Sequence, residues 1–289
     1  MRKQFVLIGH PVSHSISPAI HRAAYRAVGL SHQYDAVDCP DETAVQQQVQ
    51  RIRSGEVAGA NVTVPHKLLA LSLADAVDIS ARQVGAANVL LRDESGKVVA
   101  HNTDALALAD ELGNASADQT ALVLGNGGAA LAAVVACRST GVGQVYVTAR
   151  RFVADSTETS WPMSAGLTAL GAQLLPWHGA SLAPVLQRAA FVVQATSAGM
   201  KGADAGEELN RVLPWSAVAR GALLYDLVYN PAETPFLAEA RRLGLRGSNG
   251  LGMLVGQAGR AFSLWLGIAA PLAAMREAAE HALFGDRPS

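Results

Sequence analysis

The sequence predicts an α/β fold in two domains. Three observations carry that expectation. Short apolar runs of strand length alternate with helical segments, the βαβ order of a sheet covered by helices. Half of the residues are hydrophobic and only 16% are charged, with 27 glycines, which suits a well-buried α/β protein far better than a disordered or fibrous chain. The 289 residues exceed the roughly 100–200 of one typical domain, so two modest domains are expected.

The same numbers exclude several classes. A net charge of −1 supplies no basic field for nucleic acid or for an anionic membrane surface, and neither is expected as a partner. Met1-Arg2-Lys3-Gln4 leads into only four apolar residues before Gly9, too few for a signal-peptide core. No run approaches the roughly 18 apolar residues of a spanning helix. Cys39 and Cys137 stand alone without metal or redox spacing, which points to a reducing, cytoplasmic setting. The eight histidines show no H-E-x-x-H or similar spacing, so no metal is expected.

Phe5 to Gly9 is a continuous apolar run closed by glycine, as in a buried parallel strand. The polar loop from His10 follows, and a helix starts at Pro18. Ser15 and Ser17, two apart, point their hydroxyls to one side of an extended loop. Ser17 before a proline also reads as an ordinary N-cap. Next come a helix from Ala19 to Val28, a strand from Tyr34 to Val37 and a helix from Asp41 to Arg53.

Gly59 to Lys67 reads as a strand running straight into a helix. Val62 and Val64 alternate with Asn61 and Thr63 as in a half-buried strand, and Pro65 fits a first helical turn. Leu68, Leu69, Ser72, Leu73 and Ala76 keep one face of that helix mostly apolar. Lys67 then sits in the first turn, where the helix dipole disfavours a cation by roughly 0.3–1 kcal/mol. A lysine there either reaches out to water or is kept for chemistry. Ala86 to Leu91 and Lys97 to Ala100 form a strand pair, after which His101-Asn102-Thr103-Asp104 leads into a helix from Ala105 to Leu112. Taken singly, Asp104 reads as an N-cap and Asn88 as a buried, satisfied amide.

Past the loop from Gly113 to Asp118, Ala121 to Leu124 is a strand and Gly125-Asn126-Gly127-Gly128-Ala129-Ala130 a glycine-rich turn. Leu131 to Arg138 is a small-residue helix, and Gln144 to Thr148 the next strand. This is a βαβ unit of Rossmann type, in which Gly125, Asn126, Gly127, Gly128 and Ala129 offer backbone N–H groups to a dinucleotide pyrophosphate. An NAD site would put Asp or Glu at the end of the second strand, but this chain has Ala149-Arg150-Arg151. Two guanidinium groups suit a 2′-phosphate, so NADP is the expected cofactor, with an exposed basic turn as the alternative. Strands at Ala172 to Leu175, Phe191 to Ala195 and Ala222 to Leu227 continue a doubly wound sheet. The loops from Thr196 and from Val228 leave the strand ends where such sheets bind ligands. Helices over Pro235 to Leu243, Met253 to Leu266 and Pro271 to Leu283 close the chain, with Gly247 to Gly252 as a hinge.

Together these segments resemble the shikimate dehydrogenase family of bacterial type. The motifs that carry the resemblance are His14-Ser15-Ile16-Ser17-Pro18, Asn61-Val62-Thr63-Val64-Pro65-His66-Lys67, Gly85-Ala86-Ala87-Asn88, Asn102-Thr103-Asp104 and the glycine-rich turn. It continues through Ala195 to Met200, Asp226-Leu227-Val228-Tyr229 and Asn249 to Gln257, so it spans nearly the whole chain in order. The resemblance implies a substrate domain from residues 1–105 plus 250–289, completed by the C-terminal helices, and an NADP-binding domain from 106–249. It implies a cleft closing over shikimate and NADP, and a monomer or homodimer that reversibly reduces 3-dehydroshikimate on the way to aromatic amino acids.

Residue by residue, the resemblance places Ser15 and Ser17 on the substrate carboxylate, and Thr63, Asn88, Asp104 and Gln257 on the ring hydroxyls. Tyr229 falls near the substrate, and Lys67 with Asp104 forms the acid/base pair. Thr196, Leu227 and Gly250 join the glycine turn, Arg150 and Arg151 in holding the cofactor. These types suit the chemistry, because hydride addition to a ketone leaves developing negative charge on oxygen that an ammonium can stabilise and protonate. The chain departs from the family pattern at His101, Ala105, Ala149 and Gln194, where the family often has an acid, a glycine and two asparagines. A quinate or aminoshikimate dehydrogenase, and a non-catalytic ligand sensor on the same fold, are the alternatives.

Overall fold

The structure, a computed structural model, describes residues 2–153, 161 and 163–285. Its contacts fall into two compact units, residues 1–104 with 254–289 and residues 105–253.

The first unit runs β1 (Gln4–Gly9), α1 (Ser17–Ala27), β2 (Gln33–Asp38), α2 (Glu42–Ser54), β3 (Gly59–Val62), α3 (Lys67–Leu73), β4 (Ala76–Val77), α4 (Ile79–Val84), β5 (Val89–Arg92) and β6 (Val98–His101). Its sheet has the order β2-β1-β3-β5-β6-β4. β1 pairs in parallel with β2 and β3, whereas β5 runs antiparallel to β3 and β6, so the sheet is mixed. The central strands are apolar on both faces because both are covered. Val6, Ile8, Ala60 and Val62 pack against Val45, Val49 and Ile52 of α2. Phe5 points the other way and stacks on Trp265 at 4.7 Å between ring centroids. Each buried Val, Ile or Phe side chain among them contributes about 1.5–3 kcal/mol. Gly59 is obligatory there: a Cβ would lie 2.5 Å from the Trp265 indole nitrogen, which donates to the Leu90 carbonyl at 3.2 Å. α2 is capped as its sequence demands, with Asp41 Oδ1 accepting from the Ala44 N–H at 2.8 Å and Gly55 ending it at φ +85°.

Three local expectations are corrected in this unit. The half-buried strand through Val64 stops at Val62 and is buried at all four positions, while Val64 is 63% exposed. The His66 N–H bonds back to the Thr63 carbonyl at 2.9 Å, so the chain makes a turn before the helix and Pro65 lies outside it. α3 itself is short and buries only Ala70 fully; Leu68 is exposed rather than part of an apolar face. Ser17 is not the N-cap of α1, because the helix already includes it and Ile16 holds the cap position without a side-chain bond.

The second unit runs β7 (Thr120–Leu124), α6 (Gly128–Ser139), β8 (Gln144–Thr148), α7 (Ser164–Ala169), β9 (Gln173–Leu175), α8 (Gly179–Leu186), β10 (Ala189–Gln194), α9 (Glu207–Val212), β11 (Leu223–Asp226), α10 (Pro235–Arg242) and β12 (Arg246–Asn249). α5 (Asp104–Leu112) opens this unit, α11 (Leu251–Leu266) begins at its end and runs on in the first unit, and α12 (Leu272–Phe284) belongs to the first unit. All strand pairs among the described residues of this sheet are parallel, in the order β12-β11-β10-β7-β8-β9. The chain therefore winds outward one way from β7 and the other way from β10. The order reverses between those two neighbours, the switch point at which doubly wound sheets bind ligands. Leu122, Leu124, Val192 and Leu224 pack with Leu182, Leu186, Phe236 and Leu237 of the covering helices. The expected hinge from Gly247 is instead largely edge strand, with β12 paired to β11 as far as Asn249. Its Gly-Ser-Asn sequence lacks the apolar or β-branched side chains that mark strands, since an edge strand needs fewer of them.

Candidate functional site

In the first unit the carboxyl ends of β1, β3 and β6 lie at one edge of the sheet. Ser15 follows β1, Thr63 follows β3 and Asp104 follows β6. Because β5 runs the opposite way, Asn88, the residue before it, arrives at the same edge. Lys67 opens α3 and Asp104 opens α5. Lys67 Nζ donates to Asp104 Oδ2 at 2.6 Å, with side-chain exposures of 14% and 6%. The carboxylate is favoured at the start of its own helix and offsets the awkward placing of the ammonium at the start of another. A pair this buried is costly to break from one side, since the remaining charge is left without its partner.

Asn88 organises the pair. Its Nδ2 donates to Asp104 Oδ1 at 2.8 Å and Thr103 Oγ1 at 2.9 Å, and lies 3.4 Å from Gln257 Oε1. Its Oδ1 accepts from the Thr103 N–H at 2.8 Å. Thr103 Oγ1 donates in turn to the Gln257 carbonyl at 3.2 Å. The Asp104 N–H donates to Asn102 Oδ1 at 3.0 Å, so Asp104 is not itself the cap and both of its oxygens face the pair and the amide. Each oxygen keeps a further lone pair for a ligand hydroxyl. Ser15 Oγ donates to Ser17 Oγ at 3.2 Å and accepts from the Ser17 N–H at 3.3 Å, which sets the two hydroxyls side by side. Thr63 is partly exposed at the end of β3, its methyl against Gly9, where no Cβ would fit.

Asn61, Asn102 and Thr103 stand in the motifs, yet the sequence reading gives them no part. Tyr34 OH donates to Asn61 Oδ1 at 2.7 Å, and Asn102 Nδ2 to the Ala86 carbonyl at 2.9 Å. Asn61 alone carried a signal, a polar residue inside an otherwise apolar strand; the polar run around Asn102 and Thr103 reads as an ordinary loop. At the departure His101, the ring lies 3.4 Å from Asp78; burial holds its pKa below the ordinary imidazole value and Asp78 opposes that.

The second unit gathers the remaining residues at the carboxyl edge of its sheet. Gly125 leaves β7 at φ +131°, where a Cβ would stand 2.9 Å from the Ala195 carbonyl oxygen at the end of β10. Asn126 and Gly127 lead into α6, whose first residues are Gly128 and Ala129 and whose N-cap, Gly127, makes no side-chain cap bond. The Thr196 N–H donates to Gln194 Oε1, and Gln194 Nε2 to the Ala198 carbonyl at 2.9 Å, so the longer amide at this departure braces the loop. Gly250 packs directly on the Leu227 carbonyl oxygen, which any Cβ would overlap, and its N–H donates to the Val228 carbonyl at 3.1 Å. Asp226 anchors the loop bearing Leu227 and Tyr229: Oδ1 accepts from the Val228 N–H at 2.9 Å and Oδ2 from the Thr234 hydroxyl. Burial pushes its carboxyl up to about 6 against those two bonds, and burial raises the Tyr229 phenol. Arg150 and Arg151 are exposed beyond β8 and Ala149 is buried. Arg150 Nη1 lies 2.9 Å from Asp204 Oδ2.

The strand order and glycine turn place the chain among α/β proteins with a Rossmann-type unit. The family model described as the shikimate dehydrogenase substrate binding domain matches residues 7–90, and that described as the shikimate 5'-dehydrogenase C-terminal domain matches residues 250–280. A shikimate dehydrogenase (NADP(+)) of Geobacter sulfurreducens is 38% identical over 275 residues, 93% of each chain. The crystal structure of shikimate 5-dehydrogenase from Thermus thermophilus in complex with NADP(H) and shikimate is 34% identical, with a TM-score of 0.79 over 97% of this chain and 100% of that one. A ligand-free 5-ketofructose reductase of Gluconobacter also aligns, at 25% identity and a TM-score of 0.79 over 97% of this chain and 99% of that one. The chain belongs to the shikimate dehydrogenase family.

Proposed function

We propose that the protein is an NADP-dependent oxidoreductase that reversibly reduces 3-dehydroshikimate to shikimate, a cytoplasmic step of aromatic amino-acid biosynthesis. The observation that carries this is the buried Lys67–Asp104 pair, held by Asn88 at a sheet edge that also bears Ser15, Ser17 and Thr63. Membership of the family supports the reaction and the cofactor.

The residues fit a dinucleotide. Gly125 leaves no room for a side chain beside β10, and the N-cap Gly127 makes no side-chain cap bond, so the turn through Asn126 and the backbone N–H groups of Gly127, Gly128 and Ala129 suit the pyrophosphate. Arg150 and Arg151 suit the 2′-phosphate, and Thr196, Leu227 and Gly250 lie on the loops of the same sheet edge. When bound, NADPH supplies hydride. The chain's own part is the proton and the alignment. Ser15 and Ser17 hydroxyls donate to the ring carboxylate, while Thr63, Asn88, Asp104 and Gln257 bind ring hydroxyls and Tyr229 adds a contact. Lys67 Nζ faces the carbonyl oxygen, stabilises the charge that develops there and gives it a proton; in the reverse direction the neutral amine takes the proton back. Asp104 keeps Nζ aligned through both directions.

The test is a panel of 3-dehydroshikimate, dehydroquinate and 5-ketofructose with NADPH and NADH, followed at the reduced-nicotinamide absorbance band. The highest kcat/KM is expected for 3-dehydroshikimate with NADPH. Faster turnover of another ketone would reassign the substrate, and tight binding without turnover would make the protein a sensor.

A further inference from the structure

Arg150 is engaged by two carboxylates. Besides Asp204 Oδ2 at 2.9 Å, its Nη1 lies 3.5 Å from Glu208 Oε2. Both acids belong to the segment after β10, whereas Arg150 follows β8. In the order β10-β7-β8 these contacts therefore cross the carboxyl edge of β7, the strand that ends in the glycine-rich turn. The loop is folded to present Asp204. Its Oδ1 accepts from the Gly206 N–H and its carbonyl from the Gly199 N–H, both at 2.7 Å, and Gly199 and Gly206 each sit at φ +81°, a left-handed conformation open to glycine. The Gly206 N–H and then the guanidinium hold the Asp204 carboxyl below the usual range, so it is an anion at neutral pH.

A guanidinium whose Nη1 is turned to two carboxylates has that donor engaged and part of its field offset. A phosphate dianion must displace them or bind beside like charge, whereas a ribose hydroxyl meets no such repulsion. We propose that Asp204 and Glu208 set the nucleotide preference of the second unit, holding Arg150 back from the 2′-phosphate and so narrowing the advantage of 2′-phosphorylated nucleotides. This rests on the reading of Arg150 as a 2′-phosphate ligand. Both acids are exposed, which limits each to about a two- to fivefold effect on affinity.

The experiment is calorimetric titration with adenosine 2′,5′-bisphosphate and with AMP, on the unaltered protein and on D204N, E208Q, D204N/E208Q and R150Q. Asn at position 204 can still accept the Gly206 N–H, so the loop keeps its brace. Expected is about tenfold tighter bisphosphate binding by the double variant, AMP unchanged, and a gain that shrinks as salt is raised. Unchanged or weaker bisphosphate binding by the double variant, or an equal change for both ligands, overturns the inference. R150Q separates the two levels. If it lowers the bisphosphate-to-AMP preference while the double variant does nothing, only the role of the acids falls. If R150Q leaves that preference intact, the 2′-phosphate site lies elsewhere and both readings fall.

Discussion

The candidate sites of the two units are built in opposite ways. At the edge of the mixed sheet, the candidate site is built from buried and half-buried side chains whose hydrogen bonds are already made: Lys67 on Asp104, Asp104 on Asn88, Asn88 on Thr103. At the edge of the parallel sheet it is built from backbone and from exposed charge: Gly125, the uncapped start of α6, Gly250 on Leu227, and Arg150 in solvent. The contrast matches the chemistry proposed for each. Proton transfer needs one donor held at one angle in a dry setting, which only packed side chains provide. A long, flexible, anionic cofactor is held by repeated N–H groups and a helix terminus, and needs room more than rigidity.

The largest test of that contrast is Lys67→Ala. Losing the proton donor should lower kcat by about 10²–10⁴ with a smaller change in KM. An unchanged kcat would remove Lys67 from the chemistry and leave the buried pair a structural one.

The units should also answer pH in opposite directions. His21, fully buried in the first unit, stacks on Tyr34 at 4.2 Å and has no hydrogen-bond partner on either ring nitrogen among the described residues. Burial lowers its pKa from 6.5 to about 3, opposed only in part by the nearby Asn61 amide. A depressed histidine contributes stability above its unfolded pKa, which is lost as pH falls from 6.5 toward 3, at most about 3–5 kcal/mol. His21→Phe should keep the stack and remove that acid loss. Asp226 in the second unit is raised from 3.8 to about 6, so its contribution is complete below 3.8 and declines as pH rises to 6, by about 2–3 kcal/mol at most. Asp226→Asn should flatten that decline. Hydrogen exchange measured over this pH range reads each unit separately. Slopes unaltered by either substitution would show that these groups do not govern the pH response.

The smallest expected effect is Gly250→Ala. Its Cβ would overlap the Leu227 carbonyl, so the loop must shift, at a cost of about 1–3 kcal/mol and with weaker NADP binding. The first unit should keep its protection from exchange. A variant with unaltered NADP affinity would mean that this close contact serves packing and not the cofactor.

Much of this was legible in the sequence where the signal is local. The apolar runs of β1, β7, β10 and β11, the glycine turn, and the extent of α2 from Asp41 all depend on near neighbours in the chain. The end of β3 was not legible because the alternation of Asn61, Val62, Thr63 and Val64 imitates a half-buried strand. The all-buried strand hides a polar Asn61 by pairing it with Tyr34, 27 residues away. β12 escaped notice because an edge strand needs little apolar sequence.

The chain by itself determined which chemistry was on offer: a lysine opening a helix, an aspartate at a strand-to-helix junction, paired serines, and arginines where a carboxylate would mark NAD. These signals survive because residue type and short spacing are properties of the chain alone. Tertiary structure decided which of them meet. Asn88 reaches Thr103 and Asp104 across 15 and 16 residues and approaches Gln257 across 169, and it does so because β5 reverses direction beside β3. It also turned Arg150 toward two acids that no local pattern connects to it. Hydrogen-bond partners at such separations are set by strand order and register, which no short window of sequence contains.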